Sequence, residues 1–167
     1  MGNGFGFICK KCGESYGART GVGYLFPLVY KEIVNDIKAG KYGEEWKDII
    51  CNEKLIAVDA EDYVYICRKC GNWETEPALS LYKPCDPEAI AKEKYGDKTV
   101  EEMGGVPYVM SYDLQENYHL RKVRIHKCSC CGGTMHKASK KEMDELPCPN
   151  CKTKPDSDTE RVAMLWD

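Results

Sequence analysis

The sequence predicts a small α+β protein built as two modules, each gathered around four cysteines. Three observations lead there. Eleven of the 167 residues are cysteine, and eight of these fall in four C-x-x-C pairs. The hydrophobic share is 43% and the mean hydropathy is −0.54, thin for one large core. Short apolar runs of strand character enter the pairs, and a stretch with helical periodicity separates the first two. A chain of this length buries roughly 68–70% of its unfolded surface and needs no metal merely to be stable. The cysteines therefore require their own explanation. No apolar run approaches about 18 residues, so no membrane span is expected. Met1-Gly2-Asn3-Gly4-Phe5-Gly6 lacks a basic region followed by an apolar stretch, so no secretory signal is expected. Gly6 stands where myristoylation needs Ser or Thr.

The pairs are Cys9/Cys12, Cys67/Cys70, Cys128/Cys131 and Cys148/Cys151. A disulfide framework suits exported chains, and an odd cysteine count leaves one thiol over. Four thiolates around one zinc explain the pairs better, because both sulfurs of a C-x-x-C turn reach one ion. Sixteen residues separate Cys131 from Cys148, giving C-x2-C-x16-C-x2-C, a zinc spacing. The first two pairs lie 54 residues apart, and both read C-x-x-C-Gly, with Gly13 and Gly71. Glycine there permits the positive φ of a tight knuckle whose amides point at sulfur. Four pairs couple in three ways. Sequential coupling uses the short spacing and closes the smaller loops. It assigns Cys9, Cys12, Cys67 and Cys70 to site 1, and Cys128, Cys131, Cys148 and Cys151 to site 2, with two Zn²⁺ per chain.

Knuckles of this form, carried on hairpins, resemble the zinc-ribbon and rubredoxin-like families. The resemblance covers residues 5–83 with a large insert and 121–167 without one. Gly2-Asn3-Gly4-Phe5-Gly6-Phe7-Ile8-Cys9-Lys10-Lys11-Cys12-Gly13 also looks like the start of a group of uncharacterised bacterial zinc-ribbon proteins. It implies a bacterial, cytoplasmic protein with two metal sites, and carries no activity. Cys148-Pro149-Asn150-Cys151 departs from the pattern, with Lys152 in place of glycine. That bears on the tightness of the fourth turn, not on its ligation. The expected architecture is two zinc-ribbon modules, the first with a two-helix insertion between its knuckles. The expected domains are 1–86, with the helical insert at about 27–51; a charged linker with a short helix, 87–118; and a C-terminal ribbon, 119–167.

Taken in order, Phe5 to Ile8 reads as a strand entering the first knuckle. The following glycines, Gly17, Gly21 and Gly23, fit neither phosphate-loop pattern and read as a return from it. Pro27 opens a helix with Val29, Ile33 and Ile37 on one face, and Gly40 ends it. A second helix over 44–51 groups Trp46, Ile49 and Ile50. Leu55 to Val58 and Tyr63 to Ile66 read as a hairpin around 59–62. Trp73 to Tyr82 reads as one strand leaving the second knuckle. Residues 84–107 are charged and turn-rich, with a helical turn or two at 88–95, and Ser111 caps a short helix over 112–119. Arg121 to Lys127 reads as a strand entering the third knuckle, and Thr134 to Ser139 returns from it. Thr159 to Trp166 closes the second sheet, with Val162, Met164 and Trp166 on one face.

All-cysteine sites leave no open coordination position, so metal-assisted hydrolysis is not expected. His119, His126 and His136 read as surface or strand residues, and none has Glu two residues on, as zinc deaminases require. Dithiol catalysis needs a βαβ context that is poor here. Iron in the same tetrahedron would make a rubredoxin-like electron carrier. Cys51 reads as a buried small hydrophobe, Cys85 as a free thiol near the linker, and Cys130 as a spare thiol inside the third knuckle. The net charge of −3 falls to about −7 once eight thiols ionise around two divalent ions. General nucleic-acid binding is therefore disfavoured. From 119 to 141, however, there are seven basic residues and no acidic ones. Arg121, Arg124, Lys127 and Lys137, on the two strands flanking the third knuckle, would share a face. Either that face is neutralised by the acidic tail over 142–167 or by the zinc–thiolate charge, the favoured reading, or it contacts single-stranded nucleic acid. The expectation is a non-catalytic zinc-binding adaptor with an unidentified protein partner and no membrane role. The alternatives are a nucleic-acid-binding accessory protein and an iron electron carrier.

Overall fold

The structure, a computed structural model, describes residues 2–98, 102, 107–156, 159 and 161–166; the side chains of 161 and 164–166 lie outside the described set. It is α+β, with five helices and three small antiparallel sheets among the described residues. The elements are β1 (Gly2–Ile8), β2 (Ser15–Thr20), α1 (Phe26–Lys38), α2 (Glu44–Asn52), β3 (Ala57–Val58), β4 (Asp62–Cys67) and β5 (Trp73–Pro77). They continue with β6 (Leu81–Pro84), α3 (Pro87–Tyr95), α4 (Ser111–Asn117), β7 (Tyr118–Lys122), β8 (Met135–Lys137), α5 (Lys140–Asp144) and β9 (Arg161–Trp166).

The chain divides into two compact units, and not at the expected boundaries. A thiol unit comprises Met1–Gly23, Asp62–Pro77 and Ile125–Asp167; a helical unit comprises Tyr24–Glu61 and Ala78–Arg124. The division into 1–86, a linker at 87–118 and 119–167 is thus corrected. The helical unit is two excursions of the chain, and the supposed linker is folded into the second. Ile90, Val109 and Leu114 are buried there. Asp86 caps α3 by accepting from the Glu88 and Ala89 amides, with Pro87 in the first turn. The charges of Glu88, Lys92, Glu93 and Lys94 disguise an ordinary capped helix.

In the thiol unit, β2-β1-β9 and β5-β4-β8 form two sheets. β9 pairs with β1, from Gly2 opposite Trp166 to Phe7 opposite Arg161, rather than closing a sheet around the last two knuckles. The side chains of Met164 and Trp166, expected on a face with Val162, lie outside the described residues. Phe5, Phe7, Tyr16, Ala18, Val64 and Leu146 pack with Cys9 and Cys148. Tyr65 and Met135 pack with Cys67 and Cys128. Four of the eight pair cysteines are therefore core residues.

The helical unit holds the β3-β6-β7 sheet and α1 to α4. Pro27 and Gly40 bracket α1 as expected, with Gly40 at φ +83. The buried stripe, however, is Phe26, Tyr30, Ile33, Val34 and Ile37; Val29 is exposed. Two aromatics occupy the place assigned to Val29. Tyr30 is fully buried, and its hydroxyl accepts from the Val58 amide. The expected 55–66 hairpin is absent. β3 pairs with β6, and β4 with β5. The expected strand 73–82 breaks at Leu79, held at φ +57, whose amide donates to Asp59 O.

Candidate metal centres

The four C-x-x-C turns have one design. In each, the residue after the second cysteine takes a left-handed conformation: Gly13 at φ +74, Gly71 at +71, Gly132 at +66 and Lys152 at +59. Its amide donates to the carbonyl of the first cysteine at 2.7–3.0 Å. The first cysteine's amide donates five residues on, to Glu14, Asn72, Gly133 and Thr153 respectively. The fourth turn is as tight as the others, because Lys152 accepts the backbone conformation that glycine adopts freely.

The turns meet in a nested order. Cys9, Cys12, Cys148 and Cys151 form an outer tetrad, and Cys67, Cys70, Cys128 and Cys131 an inner one; within each tetrad all sulfurs lie within 4.8 Å. This corrects the sequential pairing, which joined Cys9 and Cys12 to Cys67 and Cys70, and Cys128 and Cys131 to Cys148 and Cys151. The physical reason is strand register. β4 pairs with β8 so that Cys67 lies opposite Met135, which carries the third knuckle to the second. The fourth knuckle is fixed to the first by other contacts. Tyr16 donates its hydroxyl to Leu146 O at 3.0 Å, and Trp73 Nε1 donates to Pro147 O at 2.8 Å. Both acceptors sit immediately before Cys148.

The tetrads fit a four-coordinate ion. Cys9–Cys151 and Cys12–Cys148 Sγ separations are 3.5 and 3.6 Å. Cys67–Cys131, Cys70–Cys128 and Cys70–Cys131 are 3.5, 3.6 and 3.4 Å. A tetrahedron with metal–sulfur bonds of ~2.3 Å has edges of about 3.8 Å. The protonation pattern points the same way. The Cys70 amide, then that of Lys69, lower Cys67 to about 6 against opposing burial. The Thr153 hydroxyl and amide lower Cys151 to about 6. Cys12 is lowered by the Glu14 amide, yet burial and the thiols of Cys9, Cys148 and Cys151 push it up to about 12. Cys70 behaves likewise, its Asn72 amide overcome by the Cys131 thiol and by burial, and reaches about 12. Cys67 and Cys151 ionise readily, whereas the crowded Cys12 and Cys70 resist. A central divalent cation removes that resistance by pairing with all four. Four cysteines so arranged are consistent with zinc-ribbon-like sites.

Sequence reasoning missed the groups around the sulfurs. Gly133 passes so close that a Cβ would lie 3.0 Å from Cys67 Sγ and 3.2 Å from Cys131 Sγ. The Gly132-Gly133 doublet is its sequence signal. Glu74, Asn72 and Ser129 join the inner knuckles and carry no such signal. Of the four residues expected on one basic face of the strands flanking the third knuckle, Arg121 and Arg124 fall in the helical unit, and Lys127 and Lys137 in the thiol unit. Arg121 pairs with Glu53 at 2.7 Å, and the Arg124 guanidinium lies over Tyr42 and Trp46, both in the helical unit. In the thiol unit, Lys127 donates to Thr134 Oγ1, and Lys137 sits 3.0 Å above the Tyr63 ring. His126 is buried, stacked on Tyr65, with Nδ1 2.8 Å from Glu76; His136 Nε2 is 2.8 Å from Glu142. Neither tetrad includes a histidine. Cys51, Cys85 and Cys130 are exposed, which corrects the expected burial of Cys51. No helix among the described residues is long and apolar enough to cross a membrane. No protein-family profile, curated protein or solved structure matches the chain.

Proposed function

We propose that this is a non-catalytic zinc-binding adaptor, in which two structural tetrathiolate sites hold a scaffold that presents a docking surface. The nested, closed tetrads carry the reading. Each supplies four sulfurs and no open position, so its residues can hold an ion but leave no place for water or substrate. Bound zinc would supply folding free energy and no redox chemistry. Two further properties of the chain support the adaptor part. Phe5, Phe7 and Leu146 pack with the ligating cysteines, so ion binding and core formation are one event. In the helical unit, α1 is apolar on two sides. Leu28, opposite the buried stripe, stays exposed at 60%, as do Val29 on its flank and the N-cap Leu25.

Metal analysis of the purified chain tests the first part, with two zinc per chain expected. A red protein carrying iron would replace the scaffold by an electron carrier. After cobalt substitution, the sulfur-rich spectrum should not respond to azide; a response would reveal an open position. For the docking part, crosslinking in cells should give a defined partner through the α1 surface with the wild type and lose it with Leu28→Asp. Identical crosslinks from both would remove the docking surface.

A further inference from the structure

The two tetrads are built alike but are not held alike. Aligning the turns places Asn72 where the outer tetrad has Glu14, Glu74 where it has Tyr16, and Ser129 where it has Pro149. In the inner tetrad one carboxylate oxygen spans both knuckles. Glu74 Oε1 accepts from Asn72 Nδ2 at 3.0 Å, from the Ser129 amide at 3.0 Å and from Ser129 Oγ at 2.8 Å. Asn72 ends the second knuckle, and its Nδ2 is 3.9 Å from Cys128 Sγ. Ser129 lies inside the third knuckle, directly after Cys128. The outer tetrad cannot copy this bridge. Pro149 has neither an amide hydrogen nor a hydroxyl to donate. Tyr16 is itself a donor, and gives its proton to Leu146 O.

A carboxylate beside four thiolates is repelled by them. It holds its place through three donors, and those donors belong to the turns that must stay in register for ligation. Groups of this kind, one shell out from a metal, typically change its affinity by 10–100-fold. We propose that Glu74 is a positioning residue that clamps the inner knuckles together, making the inner tetrad the slow-release site and the outer tetrad the exchangeable one. The proposal rests on the reading that both tetrads bind metal.

Cadmium-113 loaded into the full chain tests it. The wild type should give two resonances in the all-sulfur region, assigned by Cys12→Ser, which keeps the inner one, and Cys70→Ser, which keeps the outer one. Fewer than two resonances in the wild type would sink the metal reading itself. In excess EDTA, the outer resonance should vanish at least about tenfold faster than the inner. Glu74→Ala should speed inner release about tenfold or more and leave the outer rate unchanged. Its persisting outer resonance reports that the thiol unit is folded. Glu74→Gln keeps an acceptor oxygen and relieves the repulsion, so it should restore slow release. Ser129→Ala, losing one of three donors, should fall between. Thr75→Ala, on the exposed side of the same strand, should change neither rate. The clamp is overturned if Glu74→Ala leaves inner release within twofold of wild type, or speeds both sites equally. It is equally overturned if Glu74→Gln releases as fast as Glu74→Ala, or if the wild-type outer site is the slower.

Discussion

Which knuckles share an ion can be decided by removing ligands two at a time. Cys12 and Cys70 are exposed, so serine at either position opens no cavity. In the nested arrangement Cys12 and Cys148 serve one ion. The double variant Cys12→Ser/Cys148→Ser should therefore lose one metal per chain and keep the inner one. Cys12→Ser/Cys70→Ser should cripple both sites. Sequential pairing reverses both results. The expected cross-talk follows from the loops. The outer clip joins residues 136 apart and encloses the inner clip, which joins residues 58 apart. With the inner clip closed, the outer loop is effectively shorter, and the saving is about 0.5 kcal/mol, or roughly twofold in outer affinity. A site left intact should thus bind nearly as tightly as in the wild type. The assay is metal per chain by native mass spectrometry at a fixed free-zinc buffer. One retained metal in Cys12→Ser/Cys70→Ser, with none in Cys12→Ser/Cys148→Ser, would refute the nesting.

Three further outcomes are expected. Lys152→Gly relieves a left-handed lysine worth about 1–2 kcal/mol, so the metal-loaded chain should melt higher; an unchanged or lower midpoint would show that the turn is unstrained. Gly133→Ala forces a Cβ to about van der Waals overlap with two inner sulfurs, and inner metal release should quicken while the outer rate holds. Glu142 is lowered from 4.5 to about 2, first by the Ser139 amide and then by His136 and the Ser139 hydroxyl. Because the folded value is depressed, its contribution is complete above pH 4.5 and is lost as pH falls toward 2. The Ser139 amide resonance should accordingly stay fixed from neutral pH down to about pH 4; a midpoint near 4.5 would show the capping box to be absent.

What could be read in the sequence was local. Helix α1 was legible because Pro27, Gly40 and an apolar period lie within a few turns. Its buried face was not, since choosing between Val29 and Tyr30 depends on Val58, far along the chain, taking the tyrosine hydroxyl as partner. All eight tetrad cysteines were legible, because a C-x-x-C turn is a short-range device. The fourth turn looked defective, yet Lys152 adopts the same conformation as the three glycines. Residues 88–95 read only as a helical turn or two within a charged linker, and the Asp86 cap that starts α3 was not singled out. Glu74 left no trace, because its role exists only once Ser129 arrives from another segment.

The difference between sequential and nested pairing has a definite size. Closing short loops first is favoured, and the sequential arrangement does close shorter ones. Yet loop entropy grows only with the logarithm of length, so nesting costs just about 1.4 kcal/mol more in total. Against that stand the strand pairings that nesting accompanies. β1 and β9 align six residue pairs, and β4 and β8 three, each in antiparallel register. Phe5, Phe7, Tyr16 and Leu146 are buried in the same step, and fully burying one such side chain is worth about 1.5–3 kcal/mol. Two of these exceed the entropy difference. In this chain spacing alone therefore does not decide the ligand pairing. Here the segment before the fourth knuckle brings Leu146 into the core beside Phe7 and Tyr16, and the cysteines pair as that core requires.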